Sequence, residues 1–438
     1  MKEREKWDSK MGFILACVGA AIGLGNIWMF PWRLGAYGGA AFLVPYLLFV
    51  FTLGWTGLME EFAFGRDQET GAISAYENVF EEKGLSFGSK FGILPVLGVT
   101  GVFIFYSIVV GWILKYFTLS VTNSFVGIDS MAAYFGSFAG NPQSIFWHGL
   151  AIILTLLIVR LGVKDGIEKM NKIMMPALFL LLIILVFRSL TLPGAKEGLA
   201  FLLVPDWSKL KDPITWVMAL GQSFFTVSLG GAAMLVYGSY LDKDSDIPTS
   251  AFQTAAFNTM ASLLAAFVII PAVFAFGLDP KAGPPLLFIT IPKVFQQMPG
   301  GYIFSVIFFL SIIFAGLSSA INLMEVPVEA LIDRLNISRK KSVLIVGLVA
   351  FLIGLPLDLS MERFGTFVDT VTIYLVPLGA VLSAVIFFWI YGISNAREAI
   401  NEGSSRPLWK IWEPYAKYIF TSVALLVLVL GVLFGGIG

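Results

Sequence analysis

The stretch GLGNIWMFPW, residues 23–32, lies inside an apolar segment that is long enough to cross a membrane. It nevertheless contains two glycines, an asparagine and a proline, and both glycine and proline weaken a helix. Helix breaks at membrane depth are tolerated only where the freed backbone is buried in protein or lines a cavity. The stretch therefore predicts an interrupted membrane helix whose main chain lines an internal site.

The composition of the chain is typical of a membrane protein. Of its 438 residues, 57% are hydrophobic and 13% are charged, whereas about a quarter of a soluble domain is charged. The net charge of zero gives no electrostatic case for binding nucleic acid. Because Cys17 and His148 are the only residues of their types, a cysteine metal cluster and most Ser-His-Asp schemes are excluded. We expect an all-α polytopic protein that is not an enzyme.

Eleven apolar segments approach or exceed the roughly 20 residues that a membrane helix needs. They are numbered spans 1 to 11 and cover 12–36, 40–65, 91–122, 145–163, 166–188, 214–240, 248–276, 302–333, 342–358, 365–394 and 412–434. If the N-terminus is inside, 20 of the 29 Lys and Arg residues lie in cytoplasmic segments. This bias predicts a cytoplasmic N-terminus, an external C-terminus and a place in the cell membrane.

Span 6 contains a second glycine-rich stretch, GQSFFTVSLGG at 221–231, in the position that span 1 has in the first half of the chain. A pair of interrupted spans in matching halves is the best sequence pointer to a transporter binding site. The alternative is that these glycines only allow close helix packing.

Several motifs together resemble the neurotransmitter:sodium symporter family. They are GAAIGLGNIWMFP at 19–31, GGAAFLVPY at 38–46, EEFAFGR at 60–66, GQSFFTVSLGG at 221–231 and FAGLSSA at 314–320. The resemblance implies a 5+5 inverted repeat with discontinuous helices 1 and 6, formed by residues 1–190 and 214–395, and an extra helix at 412–434. It also implies sodium-driven uptake by alternating access. Eleven spans resemble the bacterial branch of the family, whose members often carry amino acids.

The resemblance implies a substrate that brings its own carboxylate, because Gly23 stands where amine-carrying relatives have an aspartate. The carboxylate would meet the N–H groups of Leu24 and Gly25 and the hydroxyl of Tyr106. The ammonium would meet carbonyls near Ala20 and Phe225 and the hydroxyl of Ser228. The implied substrate-binding set is Ala20, Ala21, Leu24, Gly25, Val102, Tyr106, Phe225, Thr226, Ser228, Gly231, Met234, Ser319 and Leu323.

The pocket for the substrate side chain carries no charge, which predicts hydrophobic amino acids such as Trp, Phe, Tyr, Leu, Ile or Val. Gly231 stands where a leucine-binding relative has phenylalanine, and Met234 can adapt to the space that this leaves. The alternative is that a neighbouring aromatic ring refills the gap and the pocket stays small.

The resemblance also implies two sodium sites. Sodium 1 would take the Ala21 carbonyl with Asn26, Thr226, Asn258 and the substrate carboxylate. Sodium 2 would take the carbonyls of Gly19, Ile22 and Ala315 with the hydroxyls of Ser318 and Ser319. The alternative for the two serines is a bond to the preceding helical turn.

Chloride is left open. Tyr46, Gln222, Thr226, Asn258 and Ser262 match the chloride positions of chloride-dependent relatives, but Glu60 or Glu61 could supply the negative charge instead. An ionisable residue at membrane depth is usually functional. We expect Glu61 to accept hydrogen bonds from N–H groups freed by the breaks, or otherwise to reach the cytosolic interface.

Three further features of the family concern gating. Arg4, Trp7, Tyr240 and Asp333 match an internal latch, although Arg4 could be an ordinary interfacial residue. Outside, Met29 replaces the usual arginine, so Arg33 is expected to pair with Asp369. Gly166 and Pro176 match a motif at which span 5 unwinds, unless they form a static kink. The remaining functional alternative is a channel or a carrier that uses another coupling ion.

Overall fold

The structure is a computed structural model that describes residues 5–279, 283 and 286–437, and within these ranges the chain forms helices and no β-strand. Eight of its helices are long and apolar enough to cross a bilayer. They correspond to spans 2, 3, 5, 7, 8, 9, 10 and 11 and cover Gly39–Gln68, Gly88–Val121, Val163–Leu190, Ile247–Ala275, Gly301–Leu335, Arg339–Asp358, Met361–Asn401 and Trp412–Phe434.

The other three spans are bent or interrupted. Span 1 consists of Lys10–Ala21 and Gly25–Ala36, which meet at 54°. Span 4, Gln143–Val159, follows the short helix Met131–Phe138 at an angle of 75°. Span 6 consists of Pro213–Thr226 and Ala233–Gly238, with no regular helix between them at 227–232. The described architecture is consistent with eleven spans, two of which are discontinuous.

Short helices connect the spans, and capping residues mark where several elements begin. The connecting helices are Ala72–Glu82, Ser124–Gly127, Ala195–Leu203, Trp207–Lys211 and Thr290–Gln297. Asp212 precedes a proline at the start of span 6 and accepts a hydrogen bond from the N–H of Ile214 at 3.0 Å. Asp246 does the same for Thr249 at the start of span 7, at 3.1 Å. An acidic N-cap followed by proline is a favourable way to begin a helix.

The break in span 6 depends on two residues in the left-handed region of backbone space. Ser228 has φ 59° and Gly231 has φ 77°. At position 231 a β-carbon would lie 2.4 Å from the Gly379 carbonyl oxygen. Glycine is therefore needed there both for conformation and for contact with span 10.

A fully buried polar network ties spans 3, 4 and 9 together. His148 Nδ1 lies 2.6 Å from Asp358 Oδ2, and His148 Nε2 lies 3.1 Å from the Ser107 hydroxyl. Ser144 donates to Asp358 Oδ1 at 2.6 Å and accepts from Trp112 Nε1 at 3.0 Å. The lone histidine of the chain is thus part of the scaffold that holds span 3, not of a catalytic site.

We predict that His148→Gln lowers the free energy of unfolding by about 1–3 kcal/mol, because glutamine has no donor in the place of Nδ1 and Asp358 Oδ2 is left buried without its hydrogen-bond partner. The measurement is thermal unfolding in detergent. The double variant His148→Gln/Asp358→Asn removes the acidic acceptor as well and should recover much of the loss. Equal stability of the single and double variants would contradict this origin of the loss.

Candidate functional site

Around the break in span 1, acceptor oxygens outnumber the hydrogens that are available to bond them. The Ser319 hydroxyl lies 3.3 Å from the Gly19 carbonyl oxygen, 3.1 Å from that of Ala20 and 3.3 Å from that of Ile22. One hydroxyl hydrogen can satisfy only one of these acceptors. Nearby on span 8, Ser318 donates to the Ala315 carbonyl at 2.9 Å. Ser319 thus brings together the freed carbonyls of Gly19 and Ile22, of the kind that coordinate sodium in transporters, whereas Ser318 makes the alternative bond to the preceding turn of its own helix.

A second oxygen-rich cluster lies around the Asn26 side chain, in the position expected for sodium 1. The amide nitrogen of Asn26 lies 2.9 Å from Thr226 Oγ1, 2.7 Å from Asn258 Oδ1 and 2.8 Å from Ser262 Oγ. These acceptors outnumber the two amide hydrogens, and the Asn258 carbonyl adds a fourth at 3.3 Å. Ala21, at the end of the first half of span 1, is buried beside the break. The Asn26 amide oxygen accepts from the Gly23 N–H at 3.1 Å, which ties this cluster to the break in span 1.

Two aromatic side chains cover the exposed main chain of span 1. The N–H of Leu24 donates to the Tyr106 hydroxyl at 3.2 Å. A β-carbon on Gly25 would lie 2.7 Å from the Phe225 ring, so this ring packs directly on the glycine. Ser228 donates to the Ala20 carbonyl at 3.2 Å. The polar groups expected to meet an amino acid's carboxylate and ammonium therefore lie at one break.

Gly23 has no room for a side chain. A β-carbon there would lie 2.7 Å from both the Tyr106 hydroxyl and the Ser319 hydroxyl. An aspartate at this position would displace both hydroxyls, which is consistent with a site that carries no acidic group of its own.

The expected lining of the side-chain pocket is only partly brought together. Met234 is fully buried, whereas Val102 and Leu323 are half-buried on spans 3 and 8. A β-carbon at position 231 would meet the Gly379 carbonyl oxygen at 2.4 Å, so the backbone of span 10 lies directly beside this glycine. That glycine at 231 enlarges the pocket stays a prediction.

Glu61 holds the break in span 6 open. Its carboxylate accepts hydrogen bonds from the N–H groups of Gly230, Gly231, Met234 and Leu235 at 2.9–3.3 Å. The side chain is buried, with 1% of its surface exposed. The prediction that Glu61 accepts bonds from freed N–H groups is confirmed. A buried carboxylate needs such donors, and the broken helix supplies four.

The five residues expected for chloride do not all offer donors. The Gln222 amide donates to the Gly25 carbonyl at 3.2 Å and accepts from Arg33 at 3.3 Å. The Ser262 hydroxyl donates to the Asn258 carbonyl at 3.2 Å. The Tyr46 hydroxyl approaches those of Ser262 and Thr226 without completing a hydrogen bond among the described residues.

The N-terminal segment packs under the second half of span 6. Trp7 donates from its ring to the Tyr237 carbonyl at 3.0 Å and from its backbone to the Tyr240 carbonyl at 3.3 Å. A hydrogen bond from Lys164 lowers the pKa of Asp8 below its usual value. Trp7 and Tyr240 are thus brought together as expected, while Arg4 lies outside the described residues.

Two acidic residues on span 8 lie at the Tyr240 hydroxyl. It donates to Glu325 Oε1 at 2.7 Å, and Glu329 Oε2 lies 3.2 Å away. Glu325 also pairs with Arg339 at 2.6 Å. Asp333 is expected to be the acidic partner of Arg4, and because Arg4 lies outside the described residues this pairing stays a prediction. Two glutamates four residues apart inside an apolar span were the signal that could have revealed this network.

The expected external pair does not form. Arg33 is buried and donates to the Ile437 carbonyl at 2.5 Å, besides its contact with Gln222. Asp369 is exposed on span 10. Arg33 therefore ties span 1 to span 6 and to the end of span 11, because its burial favours those carbonyl acceptors over a solvated carboxylate.

Span 5 is irregular where unwinding was expected. Val163–Glu168 forms a π-helical turn that contains Gly166, and Pro176 lies within the following α-helix. A β-carbon on Gly166 would lie 2.3 Å from the Ile158 carbonyl oxygen. Short π-helical segments often mark functional sites. Whether this turn opens stays a prediction.

Two interrupted spans that surround oxygen-rich clusters in an apolar bundle define a membrane transporter. The model of the Sodium:neurotransmitter symporter family matches residues 4–132 and 140–434, so this chain belongs to that family. It is a multi-span, sodium-dependent transporter and not an enzyme.

Known proteins of the family resemble the chain over most of its length. It is 42% identical to an uncharacterized sodium-dependent transporter, YhdH, of Bacillus subtilis, over 86% of each chain. It is 28% identical to the sodium- and chloride-dependent GABA transporter 2 of Rattus norvegicus, over 95% of this chain and 77% of that one. The crystal structure of MhsT in complex with L-phenylalanine superposes with a TM-score of 0.86 at 37% identity, covering 98% of this chain and 99% of that one.

We predict that Glu61→Gln abolishes transport and lowers stability. The amide has one acceptor oxygen where the carboxylate has two, so two of the four N–H groups lose their partner, at about 1–3 kcal/mol each. The matched control is Glu60→Gln, since Glu60 accepts from the Ser383 hydroxyl and an amide oxygen can replace it there. Thermal stability and uptake should both be more strongly reduced in Glu61→Gln than in Glu60→Gln. Equal effects would contradict the proposal that Glu61 stabilises the break.

We predict that Gly23→Ala weakens substrate binding at least about tenfold, equivalent to about 1.4 kcal/mol, because the methyl group displaces the Tyr106 and Ser319 hydroxyls. The control is Gly365→Ala, where a β-carbon meets nothing within 4 Å. Equilibrium binding of labelled phenylalanine measures both variants. Unchanged binding in Gly23→Ala would remove this glycine from the site.

Proposed function

We propose that the protein imports hydrophobic L-amino acids by sodium-coupled alternating access. The observation that carries this proposal is the break in span 1, where main-chain groups meet three hydroxyls, those of Tyr106, Ser228 and Ser319, and no side-chain charge. A zwitterion supplies both the anion and the cation that such a break can bind. The half-helix N-terminus favours the carboxylate and the freed carbonyls favour cations.

The substrate carboxylate binds the N–H groups of Leu24 and Gly25 and the Tyr106 hydroxyl in this proposal. The ammonium binds the carbonyls of Ala20 and Phe225 and the Ser228 hydroxyl. The present contacts of Leu24 with Tyr106 and of Ser228 with Ala20 support these roles, because each brings one polar partner to the break.

The side chain of the substrate is apolar, with Trp, Phe, Tyr, Leu, Ile and Val as candidates. The uncharged lining by Val102, Met234 and Leu323 supports this range. Phenylalanine is the first substrate to test, because it is bound in the structurally similar MhsT. Because the backbone of span 10 lies close to Gly231, tryptophan, which has the largest side chain of the series, is expected to fit least easily.

Two sodium ions travel with the substrate. Sodium 1 binds among Ala21, Asn26, Thr226 and Asn258 and shares the substrate carboxylate, whereas sodium 2 binds among Gly19, Ile22, Ala315, Ser318 and Ser319. The excess of acceptor oxygens over hydrogens in both clusters supports these sites. A shared carboxylate couples the two binding events, so that sodium and substrate raise each other's affinity by the same factor.

Chloride is not required in this proposal. Gln222 and Ser262 already direct hydrogens to backbone carbonyls, and the buried carboxylate of Glu61, which accepts from four N–H groups, supplies negative charge within the bundle.

The protein resides in the cell membrane with its N-terminus in the cytoplasm and its C-terminus outside. Residues 1–190 and 214–395 form the two inverted halves. Trp7, Tyr240 and the Glu325–Arg339 pair close the cytoplasmic side, and Phe225 with Tyr106 covers the substrate from outside. The distribution of basic residues and the matching positions of the two breaks support this arrangement.

The test is uptake of labelled L-phenylalanine into proteoliposomes with an inward sodium gradient. Accumulation is expected in sodium chloride and in sodium gluconate, and competition is expected from leucine and tryptophan. Uptake that persists when choline replaces sodium, or that follows pH instead, would contradict sodium coupling. Loss of uptake in sodium gluconate would contradict chloride independence. Failure of tryptophan to compete would show that the pocket does not accept the largest of the proposed side chains.

A further inference from the structure

One polar group beside the sodium 2 cluster has no role in the site described so far. Asn171 lies on span 5 and is fully buried. A β-carbon built on Gly19 would lie 2.1 Å from Asn171 Oδ1 and 3.0 Å from the β-carbon of Ser318. The Asn171 oxygen is therefore within about 5 Å of Ser318 and in contact with Gly19, which are two of the five residues proposed for sodium 2.

The orientation of the Asn171 amide is determined by its own helix. Its nitrogen donates to the Ile167 carbonyl at 2.9 Å, so its oxygen must point the other way, toward span 1. That oxygen has no hydrogen-bond partner among the described residues. A buried acceptor without a donor is unfavourable, and an exception of this kind calls for an explanation.

We propose that Asn171 Oδ1 is an additional sodium ligand, which the ion engages as it leaves sodium 2 toward the cytoplasm. The inference rests on the proposed function, because it presupposes an ion at sodium 2. The ligand would act from span 5, beside Gly19 and Ser318. An amide oxygen is neutral, so it coordinates the ion without the charge that would hold it permanently.

The link between Asn171 and the cytoplasm runs through the π-helical turn. Ile167, which holds the Asn171 amide, lies within Val163–Glu168. Opening of that turn would release the amide nitrogen and free the side chain to rotate with a bound ion. The same segment is tied to the N-terminus, since Glu168 accepts from the N–H of Asp8 at 2.7 Å and from the Ser9 hydroxyl at 2.8 Å. Release of the N-terminal latch and rotation of Asn171 would thus follow from one local change.

The test compares Asn171→Leu, which removes the oxygen at similar volume, with Asn171→Asp, which adds charge at similar shape. The matched control is Asn395→Leu, because Asn395 makes the same bond to the carbonyl four residues earlier, at 2.9 Å, far along span 10. The measurements are the sodium concentration for half-maximal phenylalanine uptake and the rate of ²²Na⁺ release from proteoliposome-reconstituted protein. Size-exclusion chromatography verifies that each variant is folded.

Asn171→Leu is expected to raise the half-maximal sodium concentration about fivefold, the ratio that about 1 kcal/mol represents for one neutral interaction. Asn171→Asp is expected to lower that concentration and to slow ²²Na⁺ release, and Asn395→Leu should change neither. If Asn171→Leu does not fold, the Asn171→Asp result decides alone.

Unaltered sodium dependence and release in the Asn171 variants would overturn this inference while leaving the proposed function intact. Sodium-independent uptake by the unmodified protein would instead overturn the proposed function itself. The two failures are therefore distinguishable within one set of proteoliposomes.

Discussion

The site depends on one buried carboxylate, which accepts the hydrogen bonds that helical carbonyls would accept if span 6 were continuous. Interrupting span 6 frees N–H groups at membrane depth, where no water can satisfy them. Glu61 accepts from four of these groups, so the break is stabilised by the protein itself and needs no ligand to persist. Phe225, Thr226 and Ser228 are positioned because the chain between the two half-helices is held in a defined path.

The two breaks leave opposite kinds of backbone group without helical partners: N–H donors in span 6 and carbonyl acceptors in span 1. In span 6 the surplus donors meet Glu61, whereas in span 1 the surplus acceptors meet only a few hydroxyl and amide hydrogens. A region rich in carbonyl oxygens and poor in hydrogens favours cations. The Ser319 hydroxyl contacts carbonyls of the sodium 2 cluster and lies beside Tyr106 at the substrate site, so this residue belongs to both regions. Shared groups of this kind are the physical basis for coupling ion binding to substrate binding.

The fold could be predicted from the sequence where the signal was local. Apolar length gave the spans, and the glycines near residues 23 and 230 marked both breaks, because helix length and helix breaking depend on nearby residues. Long-range partners could not be derived in this way. Spacing alone did not show that Arg33 would meet the Ile437 carbonyl, that Tyr240 would donate to Glu325, or that the backbone of span 10 would lie beside Gly231. Asn171 was missed because a single asparagine in an apolar span has no distinctive pattern.

The central claim is that the main chain exposed by the interrupted spans binds a zwitterionic amino acid together with sodium. An experimental density map of the protein with L-phenylalanine and sodium chloride tests this most directly. The account predicts the substrate carboxylate at the N–H groups of Leu24 and Gly25, with ion density between it and the Asn26 cluster. Continuous helices through spans 1 and 6, or a carboxylate bound to a basic side chain away from the break, would contradict it.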